Sequence, residues 1–282
     1  MHVLFYMVEK ELLQHKVIVR LPVFVFSFGL LIIILLTYGF DSDVNFSVNS
    51  IGDAEMFNLQ QGFSTVINIG ASLLSYLLSI LYLSKAICRD RQEGSLAFWR
   101  SMPVSDLTTH IVKLSVALIV IPVICSMLVL SAEFFLWLLL IFSPEQVSNL
   151  IGDISLFSVL ENYISYIFDM LIITATLLPF ACLLFAVSQL FNSPLLITLL
   201  GIYALKIVSS LLFPSSSLDQ FFYQFIDLPT QLVFTTEPVK MISELSLLSI
   251  VTMYALAALF FILSLTLQKH GRFCLADTFR NK

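Results

Sequence analysis

The chain has 282 residues, of which 59% are hydrophobic and only 12% are charged, and its formal net charge at pH 7 is −5. Because soluble proteins average about 25% charged residues, this composition argues against a water-soluble domain. The acidic balance also gives no support for a nucleic-acid partner.

Six apolar runs predict an all-α integral membrane fold with six transmembrane helices, in a single domain over residues 1–282. Each run is long enough to cross a hydrocarbon core of about 30 Å as a helix. The predicted spans are 21–40, 63–84, 114–142, 165–190, 195–214 and 245–267. The first run is longer than the apolar core of a secretory signal, so we interpret it as a retained span.

The N-terminal residues 1–20 predict an amphipathic helix at the membrane surface, because Phe5, Val8 and Leu12 recur at helical spacing. Twelve of the fourteen Lys and Arg residues lie in the stretches 10–20, 85–113 and 269–282, while the intervening loops are acidic. Lys and Arg are retained on the cytoplasmic side of short loops. Both termini are therefore predicted to be cytoplasmic.

The connections between the spans differ in length. The basic connection 85–113 predicts a cytoplasmic helix over about residues 90–102, on which Leu96, Trp99 and Met102 share one face. That face is typical of a protein contact or of a helix lying on the lipid interface, and both interpretations stay open.

The connection 191–194 is short enough to predict a tight helical hairpin. The outer segment 215–244 predicts short helices before the last span, either dipping into the outer leaflet or capping it.

Three ionisable residues inside the spans, Glu133, Asp169 and Lys206, need explanation because each costs about 2.5 to 3.5 kcal/mol in hydrocarbon unless it is paired or hydrated. Counted from the outer ends of the spans, Glu133 and Lys206 lie about 13 and 12 Å deep, which allows an ion pair between them. Asp169 lies about 6 Å below the outer boundary. These groups either line a pathway or fix helix packing. In span two, Ser64, Asn68 and Ser72 recur at a spacing that favours close helix contact.

Motifs for chemistry within this chain are scarce. The sequence contains no Gly-Lys dipeptide, which a phosphate-binding loop requires, and no HExxH arrangement. We therefore expect no cofactor or metal ion to be bound by this chain. A Ser-Lys dyad of Lys206 with Ser209 or Ser210 is the one catalytic arrangement that the spans allow.

The segment 88–114, which reads CRDRQEGSLAFWRSMPVSDLTTHIVKL, together with the amphipathic N-terminal helix and six spans, resembles the permease subunits of ABC-2 type exporters. The matching positions are an acidic and basic cluster, a Gly, an apolar helix, a Pro-Val-Ser turn and a Lys that opens span three: Asp90, Arg91, Glu93, Gly94, Leu96 to Trp99, Pro103, Val104, Ser105 and Lys113.

The resemblance implies that this segment is the coupling helix of such a permease, seated in a groove of a separate ATPase subunit. The residues it assigns to that contact are Asp90, Arg91, Glu93, Gly94, Leu96, Trp99 and Met102. It also implies that ATP and Mg are bound by the partner ATPase, and that two permeases, identical or paralogous, form the pathway. A bacterial inner membrane is the expected location. The resemblance implies no particular cargo.

Two other functions remain as alternatives. The first is a non-transporting membrane component, such as an immunity or assembly factor, that anchors a partner through the same fold. The second is a membrane-embedded enzyme, for which Lys206, Ser209, Ser210 and Glu133 would form the polar cluster.

Overall fold

The computed structural model describes residues 2–39, 59–92, 105–142, 155–191, 193–212, 223–236 and 238–270, and within these ranges the chain is helical apart from short turns and caps. The predicted all-α fold is therefore confirmed for the part of the chain that the structure describes. The α-helices are α1 (His2–Gln14), α2 (Val17–Gly39), α3 (Leu59–Gln92), α4 (Asp106–Ser115), α5 (Ile121–Phe142), α6 (Leu156–Ser188), α7 (Pro194–Leu212), α8 (Leu228–Phe234), α9 (Pro238–Ser243) and α10 (Leu247–His270). One π-helical turn, Val116–Val120, joins α4 to α5, and another, Tyr223–Asp227, precedes α8.

Four helical stretches are long and apolar enough to cross a membrane: Gly62–Ile87, Asp106–Leu138, Leu156–Ser188 and Leu247–Gln268. A fifth candidate arises if α1 and α2, which meet at an angle of 60°, count together as one broken span. The apolar part of α7, Pro194–Ser209, is shorter. Four to five membrane-spanning helices are thus supported, while the full set of six stays a prediction.

Two helices extend well beyond the spans predicted for them. Helix α3 continues without a break from Leu59 to Gln92, so Asp90 and Arg91 belong to its last turn and do not open a separate helix. Helix α6 begins at Leu156, nine residues before the predicted start at residue 165. Ser155 and Ser158 form a capping box at that start, which satisfies backbone N–H groups that would otherwise lack a partner.

The predicted hairpin between spans four and five is confirmed. Helix α6 ends in a turn in which the N–H groups of Leu190 and Phe191 donate to the carbonyl of Val187 at 3.0 and 3.1 Å. Pro194 is the first residue of α7, a position where a missing N–H costs nothing. Asn192, within the predicted connection 191–194, is outside the described residues.

Buried apolar side chains form two clusters along the bundle. One includes Leu83, Val116, Leu184 and Phe185, and the end of the bundle beside it is called the Lys113 end below. The other includes Val129, Tyr166, Met170, Leu228 and Leu232, and its end is called the Glu133 end.

Helix α8 contributes Leu228, Leu232 and Val233 to this second cluster. The short helices predicted before the last span are therefore present, and α8 packs into the bundle rather than lying on it.

Candidate functional site

The most polar buried site lies between α3, α5 and α6. Glu133 on α5 is only 5% exposed, and its Oε1 atom accepts hydrogen bonds from the hydroxyl of Ser64 and the amide of Asn162. The Asn162 amide also donates to Ser64 Oγ at 2.7 Å, and Asn68 Nδ2 donates to Asn162 Oδ1 at 3.1 Å. These four residues are called the Glu133 cluster.

The antiparallel course of the three helices brings these side chains to one level. Ser64 lies about 8 Å from the start of α3, Asn162 about 9 Å from the start of α6, and Glu133 about 14 Å from the end of α5, at 1.5 Å per residue. Because α5 runs opposite to α3 and α6, these positions meet in the same half of the bundle. The close helix contact predicted for span two is confirmed at Ser64 and Asn68.

The Glu133 cluster supplies neutral donors and no cation. Among the described residues no basic side chain pairs with Glu133, and its Oε2 atom, which is buried, has no hydrogen-bond partner. Neutral donors offset only part of the cost of burying an ionised carboxylate. The cluster is therefore electrostatically incomplete as it stands.

The ion pair that matching depth allowed between Glu133 and Lys206 is not formed. Lys206 on α7 pairs instead with Asp227, whose Oδ2 lies 3.2 Å from Lys206 Nζ. Asp227 was assigned to an outer loop, but the π-helical turn that it ends packs against the bundle and brings its carboxylate to α7. Both side chains of this pair are partly exposed, at 42% and 37%.

Lys206 and Ser209, which could have formed a Ser-Lys dyad in span five, make no contact of that kind. Ser209 Oγ is buried without a hydrogen-bond partner, whereas Lys206 donates to Asp227. The hydrogen bond that a Lys206–Ser209 dyad needs is therefore not formed. The side chain of Ser210 is outside the described residues.

Asp169 lies deeper along its helix than predicted. Because α6 begins at Leu156, Asp169 is about 20 Å from the start of the helix, compared with the 6 Å expected from a start at residue 165. Its side chain is half-buried, and it makes no hydrogen bond or ion pair with another described residue. The structure does not bring it into the Glu133 cluster.

A second buried carboxylate lies at the Lys113 end. Glu11 on α1 forms an ion pair with Lys113 on α4 at 3.2 Å and accepts a hydrogen bond of 2.9 Å from the hydroxyl of Tyr82. Lys113 Nζ also donates to the backbone carbonyl of Ala86 at 2.6 Å. We call these four residues the Lys113 network. It fastens the N-terminal helix to α3 and α4, while Phe5, Tyr6 and Leu13 on the same helix stay exposed.

Helices α4 and α10 are joined by a third set of polar contacts. His110 Nε2 lies 3.0 Å from Ser264 Oγ, and His110 Nδ1 lies 3.0 Å from the carbonyl oxygen of Asp106. Gln268 on α10 donates to Asp106 Oδ1 at 3.3 Å. His110 and Ser264 are both buried, so these bonds connect the two helices inside the protein.

The structure describes only the first two of the residues predicted to contact an ATPase, and only their backbone. Asp90 and Arg91 are in the last turn of α3, but their side chains are outside the described residues. The other five predicted contact residues also lie outside the described ranges: Glu93, Gly94, Leu96, Trp99 and Met102. Elsewhere, within the described ranges, no group of three or more His, Cys, Asp or Glu side chains could hold a metal ion.

The fold and the composition together define the class of the protein. Its long helices are apolar, and α10 in particular exposes large aliphatic side chains such as Leu247, Leu248 and Val251. The chain is an integral membrane protein made of helices. Comparison with protein-family models, with curated proteins and with solved structures finds no match to it.

Proposed function

We propose that this chain is the permease subunit of an ATP-driven ABC-2 type exporter, which forms a translocation pathway as a dimer with an identical or paralogous subunit. A separate ATPase subunit binds ATP and Mg²⁺. The segment 88–114 supports this proposal through its resemblance to the coupling region of such permeases. The positive-inside rule supports a cytoplasmic position for the Lys113 end.

One observation carries the proposal furthest, namely that the two helices flanking residues 93–104 are tied together. Helix α3 ends at Gln92, and α4 begins at Asp106 after its N-cap, Ser105. The bond from Lys113 to the Ala86 carbonyl joins the two helices near these ends, and Glu11 adds α1 to the same unit. A force applied to residues 93–104 would therefore act on α1, α3 and α4 together.

This arrangement suits a subunit that converts closure of an external ATPase into helix movement. In the proposed cycle, ATP-driven dimerisation of the ATPases pushes the paired coupling segments together. The tied helices α1, α3 and α4 then move as a rigid body. Because α3 and α5 also carry the Glu133 cluster, the motion reaches the opposite half of the bundle.

The test is co-purification of the full chain from its native membrane in mild detergent, identification of any bound subunit with a GxxxxGK(S/T) loop, and measurement of ATPase activity in proteoliposomes. We expect Trp99→Ala and Glu93→Ala each to reduce the amount of bound ATPase at least tenfold. Trp137→Ala is the matched control, because Trp137 is the second tryptophan of the chain and lies on α5 beside Phe134. It should retain the ATPase.

Two results would contradict the proposal. Full ATPase binding and activity in the Trp99→Ala and Glu93→Ala variants would remove the coupling role of residues 93–104. Stable ATPase binding with no ATP-dependent transport of any tested cargo would instead favour the non-transporting anchor.

A further inference from the structure

The hydrogen bonds of the Glu133 cluster fix which of its atoms remain without a partner. Asn162 turns its Nδ2 atom toward Glu133 and Ser64, so its Oδ1 atom faces Asn68. Asn68 must then donate its own Nδ2 to that oxygen. This order leaves the Oδ1 atom of Asn68 as an acceptor, and the alternative amide orientation would place two carbonyl oxygens against each other.

Both atoms that remain unpartnered in this cluster are oxygens. They are Glu133 Oε2 and Asn68 Oδ1, and both are buried. The Ser64 hydroxyl and both N–H groups of Asn162 have acceptors, and Asn68 donates one of its two N–H groups to Asn162. With Glu133 ionised, the cluster therefore has a surplus of oxygen acceptors and a net charge of −1, and what it lacks is a positively charged partner.

We propose that the Glu133 cluster binds one alkali cation between α3, α5 and α6. Hard cations take oxygen ligands from carboxylates, amide carbonyls and hydroxyls, and this cluster contains all three kinds. A monovalent ion fits better than a divalent one, because a single carboxylate neutralises one charge and a divalent ion would leave a net charge of +1 in an apolar bundle. The site is independent of the proposed ATPase partner.

Direct binding to the purified full chain in detergent micelles tests the proposal. Scintillation proximity with ²²Na⁺ and with ⁸⁶Rb⁺, the latter as a substitute for K⁺, is measured in N-methyl-D-glucamine chloride at constant ionic strength. At least one of the two ions should bind saturably and be displaced by its unlabelled chloride. Glu133→Gln should weaken that binding at least tenfold, since it keeps the shape of the side chain and removes the charge.

The matched control is Glu161→Gln, because Glu161 is an exposed carboxylate adjacent to Asn162 on the same helix. It should bind the ion like the wild type. Absence of saturable binding of both ions to the wild-type chain would overturn the proposal, and so would equal binding by the wild type and Glu133→Gln.

A second measurement does not depend on radioactive ions and covers the case in which Glu133→Gln fails to fold. Thermal unfolding of the wild type should shift to higher temperature in NaCl or KCl than in N-methyl-D-glucamine chloride at the same ionic strength. Asn68→Leu and Ser64→Ala should each reduce that shift. If the carboxyl of Glu133 is instead neutralised by a proton, the unfolding temperature will not depend on the cation, and that result overturns the proposal.

Discussion

Glu11 and Glu133 are two glutamates with the same burial and opposite surroundings. Their exposed fractions are 4% and 5%. Glu11 has an ammonium group and a phenol as partners, whereas Glu133 has a serine hydroxyl and an asparagine amide. A buried carboxylate that has its own cation is neutral within the fold. One that has only neutral donors is neutralised either by a proton or by a charge that the described side chains do not provide.

We expect the Lys113 network to hold helices together and the Glu133 cluster to respond to solution conditions. The Lys113 network joins α1, α3 and α4 and is complete within the chain. The Glu133 cluster joins α3, α5 and α6 and is incomplete. Both contain α3, which is one continuous helix. We therefore expect substitutions in the network to act mainly on stability, and substitutions in the cluster to act on the response to solution conditions.

The largest expected effect comes from removing the cation of the complete site. Lys113→Met leaves Glu11 buried with no ammonium group, and breaking one side of a buried ion pair typically costs about 3 to 5 kcal/mol. The free energy of unfolding of the full chain, measured by SDS titration in mixed micelles, should fall by that amount. Lys85→Met, at an exposed position on α3, is the control and should change it little.

A double substitution tests whether the effect of Lys113 on stability comes from its ion pair with Glu11. Glu11→Gln combined with Lys113→Met removes both charges, so it should recover much of the lost stability. If the double variant is as unstable as the sum of the two single variants, the ion pair is not what makes Lys113 important.

The second effect concerns the neutral donors of the incomplete site. Asn162→Leu removes the donor amide from Glu133 and from Ser64, and leaving a buried acceptor unsatisfied costs about 1 to 3 kcal/mol. We expect a loss in the free energy of unfolding within that range, smaller than for Lys113→Met. Tyr163→Phe is the control, because the Tyr163 hydroxyl makes only a marginal contact of 3.5 Å with Ser126. Equal effects of the two substitutions would argue against a specific role for the Asn162 amide.

Glu133 could be found from the sequence because one carboxylate within a long apolar run is conspicuous. Ser64 and Asn68 could be found from their spacing on span two. Asn162 was missed because Glu161 and Asn162 lower the local hydropathy, so the span appeared to begin at residue 165. The signal that could have corrected this is Ser155, which is the N-cap of the helix that begins at Leu156.

The Lys113 network was missed for a different physical reason. Lys113 fits the positive-inside pattern, which explains its position without any partner. Glu11 lies on an amphipathic helix, and periodicity does not reveal whether such a helix packs on lipid or on protein. In the structure α1 and α2 meet at 60°, and Glu11 on α1 pairs with Lys113 on α4. Depth alone also did not reveal Asp227 as the partner of Lys206, because depth ignores which connections pack into the bundle.

The smallest effect is expected at Asp227 and Lys206, the ion pair that is complete but partly exposed. Water screens both charges, and exposed pairs typically contribute about 0.2 to 1 kcal/mol. Asp227→Asn should therefore lower the free energy of unfolding by less than 1 kcal/mol, and salt should reduce the difference further. A loss as large as that of Lys113→Met would mean that this pair is buried in the membrane-embedded protein. All three sites would then be buried, and their ranking would follow the presence of a cation partner rather than differences in burial.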